Sequence, residues 1–118
     1  MSAITVQAST TISGAGSSTP VDSSSYSVLR LSINARPTLT PQFIGARAHF
    51  YIETSRDSAT WHTLSETVYF TGLTSGPERM PASGITDLAA CNADLWVRIR
   101  WLVEDAGTWT LSCTGTAQ

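Results

Sequence analysis

At 118 residues, 42% of them hydrophobic, the chain has the length of one domain and enough apolar side chain to bury a core. Its formal net charge of -2 and pI near 5.5 argue against a nucleic-acid binder, whose affinity rests on phosphates neutralised by clustered Lys and Arg. Charged residues make up 14%, against about 25% in ordinary soluble domains, and Ser and Thr supply the missing surface polarity. Ile4, Val6 and Ala8 alternate with Thr5 and Gln7 and predict a short strand near the start. From about Thr10 to Ser25 runs a Ser, Thr, Gly and Pro stretch with the composition of a flexible linker. Residues 1–25 therefore read as an N-terminal strand and arm, and 26–118 as the folded domain.

Tyr26 to Asn34 predicts a strand with Leu29, Leu31 and Ile33 inward, followed by a loop punctuated by Pro37 and Pro41. Ala46, Ala48, Phe50 and Ile52 alternate with Arg47, His49, Tyr51 and Glu53, which is a second half-buried strand. Thr54 to Thr60 makes a turn, since Ser and Asp side chains bond nearby backbone amides, and the chain returns from Trp61 to Phe70 with Leu64, Val68 and Phe70 as core candidates. Gly72, Gly76, Pro77, Pro81 and Gly84 mark a long loop, and Thr86 to Ala90 could form a single helical turn capped by Thr86.

The clearest pattern comes last. Leu95, Val97, Ile99, Trp101 and Val103 alternate with Trp96, Arg98, Arg100 and Leu102. Glu104 to Thr108 turns the chain, and Trp109, Leu111 and Cys113 resume the alternation, as in an antiparallel hairpin. Short strands separated by turn signals, without helical periodicity, predict an all-β protein, an antiparallel β-sandwich or a small jelly-roll-like barrel. Periodicity shows which face of a strand is buried, and leaves open which strand lies beside it.

Little here suggests chemistry. His49 and His62 flank one turn and, with Glu53 or Asp57, could be assembled into a metal site, but no ligand-spacing motif supports it. Ser is abundant, yet the nucleophile-elbow pattern G-x-S-x-G is missing, and no catalytic, metal or cofactor residue is assigned. Cys91 and Cys113 could meet in space; buried thiols are expected in a reducing compartment, with a disulfide left open. No run approaches the roughly 20 apolar residues of a membrane helix. The N-terminus lacks a signal-peptide pattern, so synthesis in the cytoplasm is expected.

Trp96, Arg98 and Arg100 share the row opposite the apolar one, and Trp and Arg are enriched at interface hot spots. They are interface candidates, together with Ile4 and Val6 of the arm and Leu73 and Arg79 of the long loop. Exposed Trp and Tyr also allow a second reading, a carbohydrate-binding module in which rings stack on sugars.

Ile52-Glu53-Thr54, the turn S-x-D-x-x-T-W from Ser55 to Trp61, the strand Leu95 to Trp101 and the closing segment Trp109 to Gly115 resemble a pattern of small tailed-bacteriophage virion proteins. The likeness covers about residues 26–116. It implies a non-enzymatic virion component, foremost a capsid decoration or cement protein spanning neighbouring shell subunits, or else a head-tail or tail component. Expected partners are the major capsid protein or other virion proteins and further copies of the chain; the expected location is the virion. The turn is also similar to the Asp-box of sialidase-like propellers, but it is one residue short and occurs once, without repeated blades.

Overall fold

The computed structural model describes residues 2–38, 47–70, 83–89, 96–104 and 107–118. Among these residues nine strands follow in order: β1 (Ser2–Ile12), β2 (Ala15–Ser17), β3 (Val21–Asp22), β4 (Val28–Pro37), β5 (Arg47–Ser55), β6 (His62–Phe70), β7 (Ser83–Ala89), β8 (Trp96–Val103) and β9 (Trp109–Ala117). They form two packed antiparallel sheets, ordered β1-β9-β4-β7 and β2-β8-β5-β6, with β3 also on β8. The protein is an all-β sandwich.

Alternation builds the core as expected. Leu29, Leu31 and Ile33 of β4 and Leu111 and Cys113 of β9 meet Phe50 and Ile52 of β5 and Val97 and Ile99 of β8, all of them almost wholly buried. Trp109 closes the cluster, its ring edge-on to Phe50 at a centroid separation of 6.2 Å.

Strand pairing departs from expectation at the signal that is strongest in the sequence. β8 and β9 are not a hairpin: β8 lies in the second sheet between β2/β3 and β5, and β9 in the first between β1 and β4. The intervening segment crosses the sandwich. Its start extends the β5–β8 ladder, with the Glu104 N–H donating to the Arg47 carbonyl, and its end extends the β4–β9 ladder, with the Thr38 N–H donating to the Thr108 carbonyl. Two apolar rows facing each other across a core bury as much as two rows side by side, so alternation alone fits both arrangements.

The N-terminal stretch is woven into the sandwich. β1 pairs with β9, the chain turns at Gly14 with φ 58°, and β2 and β3 then run along β8 in the other sheet. Between β2 and β3, Ser18 fills the ladder: its N–H donates to the Ile99 carbonyl at 2.9 Å and its buried Oγ accepts from the Ile99 N–H at 3.0 Å. Linker composition thus yields to paired edge structure.

Two further expectations change, and others fall outside the described residues. Residues 83–89 are a strand paired with β4 in unbroken register, which replaces the helical turn expected over 86–90. Leu64 sits at a register shift in the β5–β6 ladder and is 47% exposed, so it is no core residue. Val68 and Phe70 pair with His49 and Arg47, and their side chains lie outside the described part. Cys91, most of the long loop and its interface candidates Leu73 and Arg79 also lie outside the described residues.

Candidate functional site: the outer face of the second sheet

The side chains of β5 and β8 that do not enter the core point outward together, and the register sets who meets whom. Glu53 lies opposite Arg98, Tyr51 opposite Arg100, His49 opposite Leu102 and Ser55 opposite Trp96. On the other flank of β5, β6 places Thr63 beside Glu53 and Glu66 beside Tyr51.

Glu53 is the centre of this face. Arg98 Nε donates to its Oε1 and Arg100 Nε to its Oε2, both at 2.9 Å, and the Thr63 hydroxyl donates to Oε2 at 3.3 Å. Although it points out of the sheet, Glu53 is 5% exposed, because the two Arg side chains roof it. Burial works against its charge, but hydrogen bonds from Arg100 and Arg98 outweigh that and hold the carboxyl below its ordinary range.

Each guanidinium also lies on a ring. Arg98 Cζ stands 4.1 Å from the Trp61 ring centroid and Arg100 Cζ 4.0 Å from that of Tyr51. Trp61 is brought there by the preceding turn, where Asp57 Oδ1 accepts from the Ala59 and Thr60 N–H groups and from the Ser55 hydroxyl, with Ser58 at φ 60°. Those bonds, led by the Thr60 N–H, lower the Asp57 carboxyl to about 2. The S-x-D-x-x-T-W motif is therefore an Asp-centred turn that aims a Trp at Arg98.

Farther along the face, His49 stacks on Tyr51 with centroids 6.3 Å apart. Its Nε2 contacts Glu104 Oε2, Arg47 Nε lies 3.7 Å from the same oxygen, and its Nδ1 is 3.5 Å from Glu66 Oε2 without a hydrogen bond. The Tyr51 hydroxyl is pushed above the ordinary phenol range by burial and by its bond to Glu66. His62 pairs opposite Thr54 at the other end of the hairpin, so the two His do not converge. Among the described residues, no three His, Cys, Asp or Glu side chains gather as a metal site.

Of the interface candidates, Trp96, Arg98 and Arg100 come together on this half-exposed face. Ile4 and Val6 do not: at 7% and 4% exposure they are core residues of the chain's own first sheet, because β1 is a full sandwich strand and not a free arm. Tyr51, Glu53 and Trp61 are not among the interface candidates, and Glu53 is weighed only as a metal ligand. The signal for the first two was an outward row of acidic and aromatic residues on one strand, matched by an Arg row on another. Compared with protein-family profiles and with curated proteins, the sequence matches none.

Proposed function

We propose that the protein is a non-enzymatic adhesion module of a tailed-phage particle, a capsid decoration or cement protein that docks through the outer face of its second sheet. The carrying observation is the Arg98–Glu53–Arg100 unit: two guanidiniums fixed by a buried carboxylate and backed by Trp61 and Tyr51. Ordering long side chains before contact lowers the entropy lost on association, and Arg and aromatic residues carry much of the energy of protein interfaces. The phage context rests on the sequence resemblance over 26–116. A head-tail or tail position would use the same face.

The carbohydrate reading fits this face less well. A sugar needs an open ring face, and Trp61 and Tyr51 each have one covered by a guanidinium. Deleting residues 1–25 would not isolate a contact arm, because it removes Ile4, Val6 and Ile12 from the core and strips β8 of its edge partners. The direct test is co-sedimentation of the intact protein with empty shells of the encoding phage and, separately, with the dissociated shell subunits. Saturable binding to shells is expected. Absence of shell binding, or glycan-array binding that disappears with Trp96→Ala, would defeat the proposal.

A further inference from the structure

We infer that Arg98 and Arg100 form a seat for a single carboxylate side chain presented by the docking partner; the inference rests on the adhesion reading and names the chemistry of the surface being bound. Glu53 engages only the Nε of each Arg. The Nη groups of both have no hydrogen-bond partner among the described residues, and the side chains are 21% and 38% exposed. Each guanidinium has five N–H donors in a rigid fork, so the edges left over are directional donors held in place.

The charge count selects the ligand. Two Arg against one Glu leave the unit at +1, which one carboxylate neutralises. The surroundings disfavour a polyanion: Glu66 and Glu104, 51% and 41% exposed, stand on the same face, and the exposed Asp22 pairs with Trp96 at its far end. A nucleic acid or other phosphate chain laid across this face would meet those carboxylates, whereas one Asp or Glu reaches the Arg pair alone. Arg98 and Arg100 are two residues apart on one strand, so a carboxylate between them can accept from both forks in a bridge like that of Glu53 on the other edge.

The test is a side-chain NMR titration of the full-length protein labelled with 15N-Arg, at constant ionic strength, with N-acetyl-glutamate amide, N-acetyl-glutamine amide and inorganic phosphate. The glutamate probe is expected to shift the Nη–H resonances of Arg98 and Arg100 saturably, with smaller shifts at the Nε–H groups held by Glu53, the glutamine probe to leave them in place, and phosphate to bind more weakly. Equal response to the glutamine probe, no response to glutamate or tighter binding of phosphate overturns the seat. Arg100→Gln should lose the glutamate response and weaken shell binding at least about tenfold. Should that variant fail to fold, Arg100→Lys keeps the charge beside Glu53 while removing the fork, and is expected to weaken both measurements. A saturable glutamate response without shell binding retains the seat and removes the adhesion reading. Shell binding that survives Arg100→Gln in a folded protein, or Arg100→Lys unchanged in both measurements, retains adhesion and removes the seat.

Discussion

The indole of Trp101 lies against the backbone of Gly16, the residue it pairs with across the β2–β8 ladder: a Cβ at position 16 would stand 2.8 Å from Trp101 Cζ2 and 2.9 Å from Cε2. Trp101 is itself packed on the core, so its ring cannot swing away freely. Gly16→Ala should therefore destabilise the fold by about 1–3 kcal/mol through overpacking. Urea unfolding followed by Trp fluorescence checks this; an unchanged midpoint would mean that the ring does not occupy this place.

Ser18 supports the same edge by a different device. Its Oγ accepts the Ile99 N–H where main-chain pairing lapses between β2 and β3, and both groups are buried. Ser18→Ala leaves that donor without a partner, at a cost of about 1–3 kcal/mol. Amide hydrogen exchange is the more specific readout, with Ile99 expected to lose protection more than Val97, its neighbour two residues along β8.

These two contacts bear on what the sequence could reveal. The inward rows of β4, β5, β8 and β9 were legible because burial follows a period of two, and Leu29, Phe50, Ile99 and Leu111 lie in the core as expected. Neighbour relations were not legible, because they depend on which strands cross the sandwich. The 104–108 segment has the composition of a hairpin turn and instead carries the chain from one sheet to the other. Residues 13–20 have linker composition, but Gly14 serves a corner, Gly16 a ring and Ser18 a gap in the ladder. Small and hydroxyl residues that suit a mobile tether also suit a tightly paired edge.

The candidate site was legible to the same degree. Trp96, Arg98 and Arg100 fell on one row by alternation, yet the burial of Glu53 needs the β5–β8 register, which places it opposite Arg98 and two positions from Arg100 on the same face. A carboxylate on an outward row reads as solvated until its neighbours are known. Glu53→Gln keeps the side chain's shape and removes the charge, leaving two guanidiniums without their counter-ion. A loss of about 1–3 kcal/mol is expected. A double-mutant cycle with Arg100→Gln should give a non-additive coupling, and strict additivity would show that the ion pair is not formed.

Cys113 sits at the middle of β9, fully buried, and burial pushes its thiol up to about 12. The thiolate is the reactive species, so the native protein should resist alkylation at this residue at neutral pH and become labelled only on unfolding. Mass spectrometry after iodoacetamide, with and without urea, measures it. Rapid labelling of Cys113 in the native protein would contradict the burial of the inner row of β9 in the core between the two sheets.

Acid should weaken the fold through the carboxylates that hold the outer face in place. Asp57 is lowered from 3.8 to about 2 by the turn amides, and Glu53 is held below its usual 4.5 with burial opposing and the two Arg prevailing. Because both carboxyls ionise more readily folded than unfolded, the unfolded chain binds more protons in this range, and stability rises with pH through it. Their contribution is complete above the unfolded values near 4 to 4.5 and is lost as pH falls through the folded ones, for Asp57 between about 4 and about 2. Asp57→Asn should remove its share of that slope while Glu53 retains its own, and near pH 2 the variant and the parent should converge. Thermal midpoints from pH 6 to 2 test this: parallel curves for parent and Asp57→Asn would show that the turn does not hold its carboxylate ionised, and with it would go the account of how Trp61 reaches Arg98.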